Sequence, residues 1–255
     1  MTFSRFPSSK EVMGRLGGFL FACWLLLSSS GCSRHGAANE FRVALSADYP
    51  PFEFTDKGEV VGFDVDLARA VAHALGRTAV FHDMNFCAIL PSIQAGMVDA
   101  GISTITATAS RIDSYAFSDP YFYEELHIIF RAVEPIKGKE DLRSLKVACQ
   151  LGSTMEIWLR KHGQGAKIIP MDSNVQAIEA LKAGLVDALV VDSFQAQEFC
   201  ARNGTLDHIF LERSGDGYAV ALRKDSPLLS TINDILGELD EDGTIAALRE
   251  KWKLQ

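Results

Sequence analysis

The residues best suited to holding a charged small molecule follow two short segments that resemble each other. The sequence Ala-Gly-Met-Val-Asp-Ala at residues 95–100 reappears as Ala-Gly-Leu-Val-Asp-Ala at residues 183–188. Hydroxyl residues follow the first copy, and Asp192 follows the second, with Thr104 and Asp192 each four residues past the final alanine. Hydroxyls that face a carboxylate across a cleft would suit an ammonium group, because hydrogen bonds assisted by charge are strong. Asp192 could equally be the N-cap of a helix over residues 193–199.

Two other features could hold a carboxylate. Arg111 follows a run of small polar residues, and its planar guanidinium can bind a carboxylate with two parallel hydrogen bonds. Residues 152–154, Gly-Ser-Thr, lie between a predicted strand and a predicted helix, so their backbone N–H groups form an anion site at a helix start. Two simpler alternatives remain open. Arg111 could pair with Asp113 or Asp119 on the surface, and the Gly-Ser-Thr segment could be an ordinary cap.

Two aromatic residues in connecting segments could contact the apolar part of a ligand. Tyr49 follows a strand end, and Phe86 begins a helix. Aromatic residues next to prolines more often serve packing. No Ser/His/Asp arrangement and no metal-ligand spacing emerges, so the sequence predicts neither a metal nor a cofactor. Five of the six histidines are scattered along the part of the chain that follows the predicted tether, at His73, His82, His127, His162 and His208.

The elements that must position these residues alternate between strand and helix. A strand over residues 41–45 stops before two prolines, and a helical pattern then begins at Asp64 and ends at Gly76. In each copy of the repeated segment, the glycine ends a helix and the aspartate is expected to cap the turn into the next strand. Near the carboxyl terminus, residues 227–252 are helical by pattern, with a break at Asp242-Gly243. The pattern predicts an α/β fold with two lobes of similar topology.

The first 31 residues have the pattern of a signal peptide. Basic side chains at Arg5, Lys10 and Arg15 precede an apolar run of about twelve residues, whereas a spanning helix needs roughly twenty. Small residues then lead into Cys32, which resembles the cleavage box of bacterial lipoproteins, although Ser29 stands where that box usually has Leu. We expect cleavage before Cys32, acylation of this cysteine and a short tether over residues 32–39. Ordinary secretion is the alternative.

Charge and cysteine content exclude several classes of protein. The formal charge is −8, and it becomes about −10 once the signal segment, with three basic and one acidic side chains, is removed. This acidic balance argues against binding to nucleic acid. Three further cysteines, Cys87, Cys149 and Cys200, have no spacing typical of a disulfide framework or a zinc site, and Cys149 is expected to be a buried small hydrophobe.

Several motifs in a shared order resemble the polar amino acid-binding proteins of ABC importers over residues 40–254. They are Tyr49-Pro50-Pro51-Phe52-Glu53-Phe54, Gly62-Phe63-Asp64-Val65-Asp66-Leu67, Asp99 with Ser103 to Thr106 and Arg111, Phe117-Ser118-Asp119-Pro120-Tyr121, Gly152-Ser153-Thr154, Asp192, and Asp242-Gly243-Thr244. The resemblance implies a type II periplasmic-binding-protein fold with two lobes and two hinge strands. Lobe 1 would comprise residues 40–124 and 220–255, and lobe 2 residues 125–219.

The same resemblance assigns roles to the candidate site residues. Arg111 would bind the ligand's α-carboxylate, together with the backbone N–H groups of Thr106 and Thr154. The ammonium would be held by Asp192, by the Thr106 hydroxyl and by a carbonyl near Thr104, while aromatic residues flank the side chain. The full predicted set is Arg111, Asp192, Thr106, Thr104, Ser103, Thr154, Ser153, Tyr49, Phe86, Ser46, Met155 and Gln150.

Three positions bear on the ligand's side chain. Binders of basic amino acids and glutamine in this family often have an acidic residue at the position of Ser46, and here that carboxylate is missing. Met155 replaces a polar residue, and Val191 precedes Asp192. Because burying a second full charge among such residues is costly, the sequence weakly favours a ligand with an uncharged side chain over arginine or lysine.

The expected partners are a free amino acid, an ABC permease in the inner membrane and, through Cys32, a lipid bilayer, with the protein itself a monomer. A cyclohexadienyl-dehydratase-like enzyme on the same fold is the alternative. Its acid would be Glu156, which we instead expect on the solvent face of its helix. A sensor ectodomain would need a spanning segment after Trp252, and because the sequence ends at Gln255 it would need a separate membrane partner.

Overall fold

The computed structural model describes residues 39–254. The predicted signal peptide, Cys32 and all but the last residue of the predicted tether lie outside the described residues. Within 39–254, none of the helices combines the length and the apolar content needed to cross a bilayer.

The described residues alternate between strands and helices, as the sequence predicts. The strands are β1 (Glu40–Leu45), β2 (Asp48–Tyr49), β3 (Glu53–Asp56), β4 (Glu59–Val61), β5 (Thr78–Asp83), β6 (Ala100–Gly101), β7 (Tyr115–Phe117), β8 (Phe122–Arg131), β9 (Lys146–Gln150), β10 (Lys167–Met171), β11 (Ala188–Asp192), β12 (Leu206–Tyr218) and β13 (Ala221–Arg223). The helices are α1 (Phe63–Ala74), α2 (Phe86–Gln94), α3 (Ala109–Ile112), α4 (Thr154–His162), α5 (Asn174–Lys182), α6 (Ser193–Arg202), α7 (Leu229–Glu241) and α8 (Thr244–Lys251). A 3-10 turn covers Lys139–Leu142.

Two five-stranded sheets have the same internal order. The first runs β5-β1-β6-β13-β7, and the second runs β10-β9-β11-β8-β12. In each sheet, three parallel strands are followed by antiparallel strands. We call the first sheet with its helices the first lobe, and the second sheet with its helices the second lobe. The prediction of a two-lobed α/β fold with similar topology in both lobes is confirmed.

The repeated segment has the same role in both lobes, although it differs from the expected one. The Asp99 carboxylate accepts the backbone N–H of Arg42 at 2.8 Å, and the Asp187 carboxylate accepts that of Lys146 at 2.7 Å. Each aspartate therefore joins the start of its own strand, β6 or β11, to the neighbouring parallel strand, β1 or β9, and does not cap the turn. The glycines do end the preceding helices, with φ of 70° at Gly96 and 73° at Gly184.

The chain crosses between the two sheets twice, at adjacent points. One crossing leads from β7 into β8 and the other from β12 into β13. The two segments are hydrogen-bonded to each other, because the N–H of Tyr121 donates to the carbonyl of Tyr218 at 2.9 Å and that of Ser118 to Val220 at 3.0 Å. These are the two hinge strands that the family resemblance implies.

Each sheet has an apolar cluster on both faces, because successive strand residues point to opposite sides. In β1, Phe41 and Val43 pack into one cluster and Ala44 into another. In β9, Cys149 packs on one side and Ala148 on the other. Cys149 is fully buried, as expected, and burial raises the pKa of its thiol to about 12.

Candidate functional site

Arg111 bridges the two lobes. Its guanidinium donates to the carbonyl of Thr106 at 2.7 Å in the first lobe and to the carbonyl of Gly152 at 2.8 Å in the second. The side chain is buried and lies over the ring of Phe86, with 5.8 Å from Cζ to the ring centroid. Burial lowers the pKa of Arg111, and the charge of Glu124 opposes that shift. Arg111 therefore does not pair with a surface aspartate, and its neutral carbonyl partners leave its positive charge available to an anion.

Two backbone N–H groups beside this guanidinium have no partner. Among the described residues, the N–H groups of Thr106 and Thr154 donate no hydrogen bond to a protein group. The neighbouring Gly152 N–H is already used, since it donates to the Glu156 carboxylate at 2.7 Å. Ser153 is the N-cap of α4 and accepts the N–H of Glu156 at 3.3 Å. The segment is therefore a helix cap, and the described structure also leaves the Thr154 N–H without a protein partner, so the anion site stays a prediction.

The placement of Glu156 on a solvent face is wrong. The residue is buried, with 8% of its surface exposed, and its carboxylate folds back onto the Gly152 N–H. Its other oxygen accepts Nε of Arg160 at 3.1 Å. Helical periodicity does not anticipate this position, because the interaction depends on the turn that precedes the helix.

Asp192 is the N-cap of α6, and its second carboxylate oxygen remains available for the predicted ligand-binding role. One carboxylate oxygen accepts the N–H of Gln195 at 2.8 Å and caps α6. The other oxygen accepts a hydrogen bond from the hydroxyl of Tyr218 at 3.0 Å, and Tyr218 belongs to a hinge strand. Burial raises the pKa of Asp192, and its hydrogen bonds oppose that shift. One aspartate thus ends β11, starts α6 and contacts a hinge strand through its second oxygen.

Glu124 is the main site residue that the sequence analysis missed. Its carboxyl group accepts the hydroxyl of Thr106 at 2.8 Å and the hydroxyl of Thr154 at 3.3 Å, and it also contacts the Tyr218 hydroxyl at 2.9 Å. Burial raises the pKa of Glu124 to about 7. A signal was present, since alternation along β8 places Glu124 on the same inward face as the buried Leu126.

Ser103 and Thr104 are close to the cleft, but their hydroxyls do not face Asp192. Both are directed to the buried carboxyl of Glu53, at 2.7 Å from Ser103 and 3.4 Å from Thr104. The Thr106 hydroxyl also has a partner other than Asp192, since it donates to Glu124. The carbonyls of Ser103 and Thr104 accept no backbone hydrogen bond among the described residues, so the predicted carbonyl ligand is available.

A pair of buried carboxyl groups, Glu53 and Asp64, shapes the segment that contains Thr104. The Asp64 carboxylate accepts the N–H of Thr104 at 2.7 Å, and Thr104 has a left-handed φ of 48°. Burial raises the pKa of Glu53 well above its ordinary value and that of Asp64 to about 7. Gly62 allows the backbone of Phe52 to lie close to the start of α1, which contains Asp64. A Cβ on residue 62 would lie 2.0 Å from the Phe52 carbonyl oxygen.

The aromatic candidates are packed more tightly than the prediction assumed. Tyr49 belongs to the core cluster of the first lobe and Phe86 to the cluster on the other face of that sheet. The Tyr49 hydroxyl is buried without a hydrogen-bond partner. Burial raises the pKa of Tyr49, and the charge of Asp192 adds to that shift. The Tyr49 hydroxyl therefore remains a polar group for the cleft, while the face of Phe86 is engaged by Arg111.

The remaining candidates lie on both sides of the cleft. The Ser46 hydroxyl is 3.0 Å from the carboxylate of Asp48, which the sequence analysis did not consider. Burial raises the pKa of Asp48, and one of its oxygens has no hydrogen-bond partner. Met155 packs into the core of the second lobe, and Gln150 is buried with its amide nitrogen unpartnered.

Two of the histidines described as scattered are in contact. The Nδ1 atoms of His127 and His208 are 2.9 Å apart on neighbouring strands of the second lobe. Between residues 39 and 254 there is no group of three or more histidine, cysteine or acidic side chains arranged to hold a metal ion.

Comparison with known proteins decides the family. Residues 41–255 match the family model of the bacterial extracellular solute-binding proteins, family 3. The chain belongs to this family. The resemblance seen in the sequence motifs is thereby confirmed.

Members of family 3 that resemble this chain bind amino acids. The L-cystine-binding protein TcyJ of Escherichia coli K12 is 34% identical over 215 residues, which are 82% of this chain and 81% of that protein. The structure of an ancestral arginine-binding protein bound to glutamine superimposes with a TM-score of 0.80 at 39% identity, covering 84% of this chain and 97% of that one. A second similar structure is that of the ancestral amino acid-binding protein AncCDT-1, a precursor of cyclohexadienyl dehydratase. Its TM-score is 0.78 at 35% identity, with 85% and 96% of the two chains covered.

Proposed function

We propose that this protein captures a free amino acid outside the cytoplasm and delivers it to an ABC-type permease. The observation that carries the proposal is the pairing of opposite charges across one cleft. At one end of the site, Arg111 of the first lobe lies close to the N–H groups of Thr106 and Thr154, which have no partner among the described residues and which together suit a carboxylate. At the other end, Asp192 presents a buried carboxylate oxygen, which suits an ammonium. A zwitterionic amino acid carries both groups.

Capture would occur by closure of the two lobes around the ligand. We propose the lobe boundaries given above, with residues 40–124 and 220–255 in lobe 1 and 125–219 in lobe 2. Arg111 belongs to the first lobe and Asp192 to the second, so a zwitterion held by both would stabilise the closed form. The hydrogen bond from Arg111 to the Gly152 carbonyl supports this mechanism, because it already joins the lobes at the carboxylate end of the site.

We further propose a ligand with an uncharged side chain. Ser46 supplies no charge, and Met155 and Val191 are buried in the second lobe. Burial raises the pKa of the additional carboxyl group, Asp48, and so makes its charged form less favourable than in an exposed aspartate. A cationic side chain would therefore find little compensation for the loss of its hydration.

A panel of the twenty amino acids tests the function and the ligand class together. We expect one or a few neutral amino acids to raise the melting temperature of the mature domain, since a ligand that binds only the folded state stabilises it by mass action. Calorimetric titration then ranks their affinities. Binding of arginine or lysine more tightly than every neutral amino acid would contradict the side-chain proposal, and no stabilisation by any of the twenty would contradict the function.

We propose binding in preference to dehydratase chemistry. Glu156, the predicted acid of an enzyme, has both carboxylate oxygens engaged, one by the Gly152 N–H and one by Arg160. Turnover of a cyclohexadienyl acid by the purified protein would overturn this choice.

We also propose that the protein is a monomeric lipoprotein tethered to a membrane through Cys32. The amino-terminal pattern and the extracellular character of the family support this proposal. Replacing Cys32 by alanine is expected to move the protein from the membrane fraction to the soluble fraction, because the acyl chains would be lost. Fractionation of cells followed by intact-mass measurement of both forms checks the result. Cys87→Ala, which lies within the mature domain, is the control and should stay in the membrane fraction.

A further inference from the structure

The Tyr218 hydroxyl lies between two carboxyl groups. Its oxygen is 2.9 Å from Oε2 of Glu124 and 3.0 Å from Oδ2 of Asp192. A phenol has one proton and can donate to only one of these oxygens. Because both distances are those of hydrogen bonds, the second contact requires a proton on a carboxyl group.

Glu124 is the group that holds this proton. Asp192 accepts a backbone N–H from Gln195, which favours its ionised form. Glu124 accepts hydroxyls on Oε1 only, so Oε2 can donate. Burial raises the pKa of Glu124 to about 7, which agrees with this assignment. In the resulting chain of hydrogen bonds, the protonated Glu124 donates to the Tyr218 oxygen, and the Tyr218 hydroxyl donates to Asp192.

We propose that Glu124 is a second carboxyl group of the ammonium subsite and that the ligand's ammonium takes the place of this proton. The inference rests on the proposed function. An ammonium brings three N–H donors, and the oxygens of Asp192, Thr106 and Glu124 form one connected group that could accept them. On binding, Glu124 releases its proton to the solvent and becomes a carboxylate. The positive charge of the ammonium then replaces the positive charge that left with the proton.

The charges around Glu124 are consistent with this exchange. Asp192 raises the pKa of Glu124, so an ammonium that neutralises Asp192 lowers it. Tyr49 and Tyr218 both have pKa values raised by burial and by these carboxylates, so they remain neutral donors. The positive charge of Arg111 also acts on Glu124, and the negative charge of the ligand's carboxylate would balance it. Of the ligand's two charged groups, the ammonium lies nearer to Glu124 in the proposed arrangement.

Calorimetry in two buffers measures the proton directly. The probe is the amino acid that raises the melting temperature most in the panel above, titrated at pH 6.5 in phosphate and in Tris, whose ionisation enthalpies differ. We expect the wild type to release roughly half to one proton per ligand and its affinity to rise about tenfold from pH 5.5 to 7.5, because the free protein binds more protons than the complex. Glu124→Gln should release none, and its affinity should change by less than about twofold over that range.

Glu125 offers a matched control. This neighbouring glutamate is half-buried and binds Arg213 at 2.8 Å on the other side of β8. Glu125→Gln should therefore keep the proton release of the wild type. Equal heats in the two buffers for the wild type, or proton release that persists in Glu124→Gln, would overturn the inference.

Calorimetry of the wild type in the two buffers tests proton release even where the Glu124 variant folds poorly. A second readout needs no ligand, since the Glu124 carboxyl carbon can be titrated by NMR. A midpoint near 7 is expected, and a midpoint at the ordinary value for glutamate, about 4.3, overturns the inference even where no amino acid binds. Absence of any binding in the panel, by contrast, contradicts the proposed function.

Discussion

Replacing Arg111 by alanine is expected to reduce the affinity for the bound amino acid by about 2–5 kcal/mol. The side chain is buried, and its only hydrogen-bond acceptors in the described structure are the carbonyls of Thr106 and Gly152. A ligand carboxylate would be the first negatively charged hydrogen-bond partner of this guanidinium. The variant loses both that pair and the connection between the lobes, and calorimetric titration of the mature domain measures the loss.

Two further variants separate the causes of the Arg111 effect. Arg111→Lys keeps the positive charge but loses the planar arrangement of donors, so we expect an intermediate affinity. Arg202→Ala removes an exposed arginine that pairs with Glu198 on α6, and it should leave the affinity unchanged. Wild-type affinity in Arg111→Ala would show that the carboxylate is held elsewhere.

The second large effect is expected at Asp192, where asparagine can separate binding from folding. Asn is as good an N-cap as Asp, so Asp192→Asn should retain the cap of α6 and melt close to the wild-type temperature. The variant lacks the charge that would hold the ammonium, and we expect an affinity loss of about 2–4 kcal/mol. Calorimetry and thermal melting on the same samples test both parts.

Asp242→Asn is the matched control for this experiment. Asp242 also accepts a backbone N–H at a helix start, from Thr244 at 2.8 Å, but it is exposed at the carboxyl-terminal helices. The same chemical change there should alter neither the affinity nor the pH dependence of binding. An Asp192→Asn variant that binds as the wild type does would reduce the role of Asp192 to that of a helix cap.

The sequence predicted the architecture well because local patterns determine it. Strands and helices differ in the period of their apolar residues, and glycines such as Gly96 and Gly184 mark helix ends by their conformational freedom. The repeated segment led to the prediction of two similar lobes, and the matching strand orders confirm it. The end of α1 and the break between α7 and α8 were also predicted, since Gly76 and Gly243 interrupt the pattern.

The sequence was less informative about side-chain partners within the site. It identified Arg111 and Asp192 by residue type and position, but it assigned the hydroxyls of Ser103 and Thr104 to the cleft, where the structure directs them to Glu53. It also placed Glu156 in solvent. Both errors arise because a partner distant along the chain, or a turn before a helix, redirects a polar side chain.

By itself the sequence determined the family, the α/β architecture and the two charged residues proposed to hold a zwitterion. Only the tertiary structure showed that Glu124, Tyr218 and Asp192 form one hydrogen-bonded chain, because β11, β8 and β12 become neighbours only in the folded second sheet. The physical reason is that secondary structure follows from local periodicity. The protonation of a buried carboxyl group, in contrast, depends on burial and on partners far away in sequence.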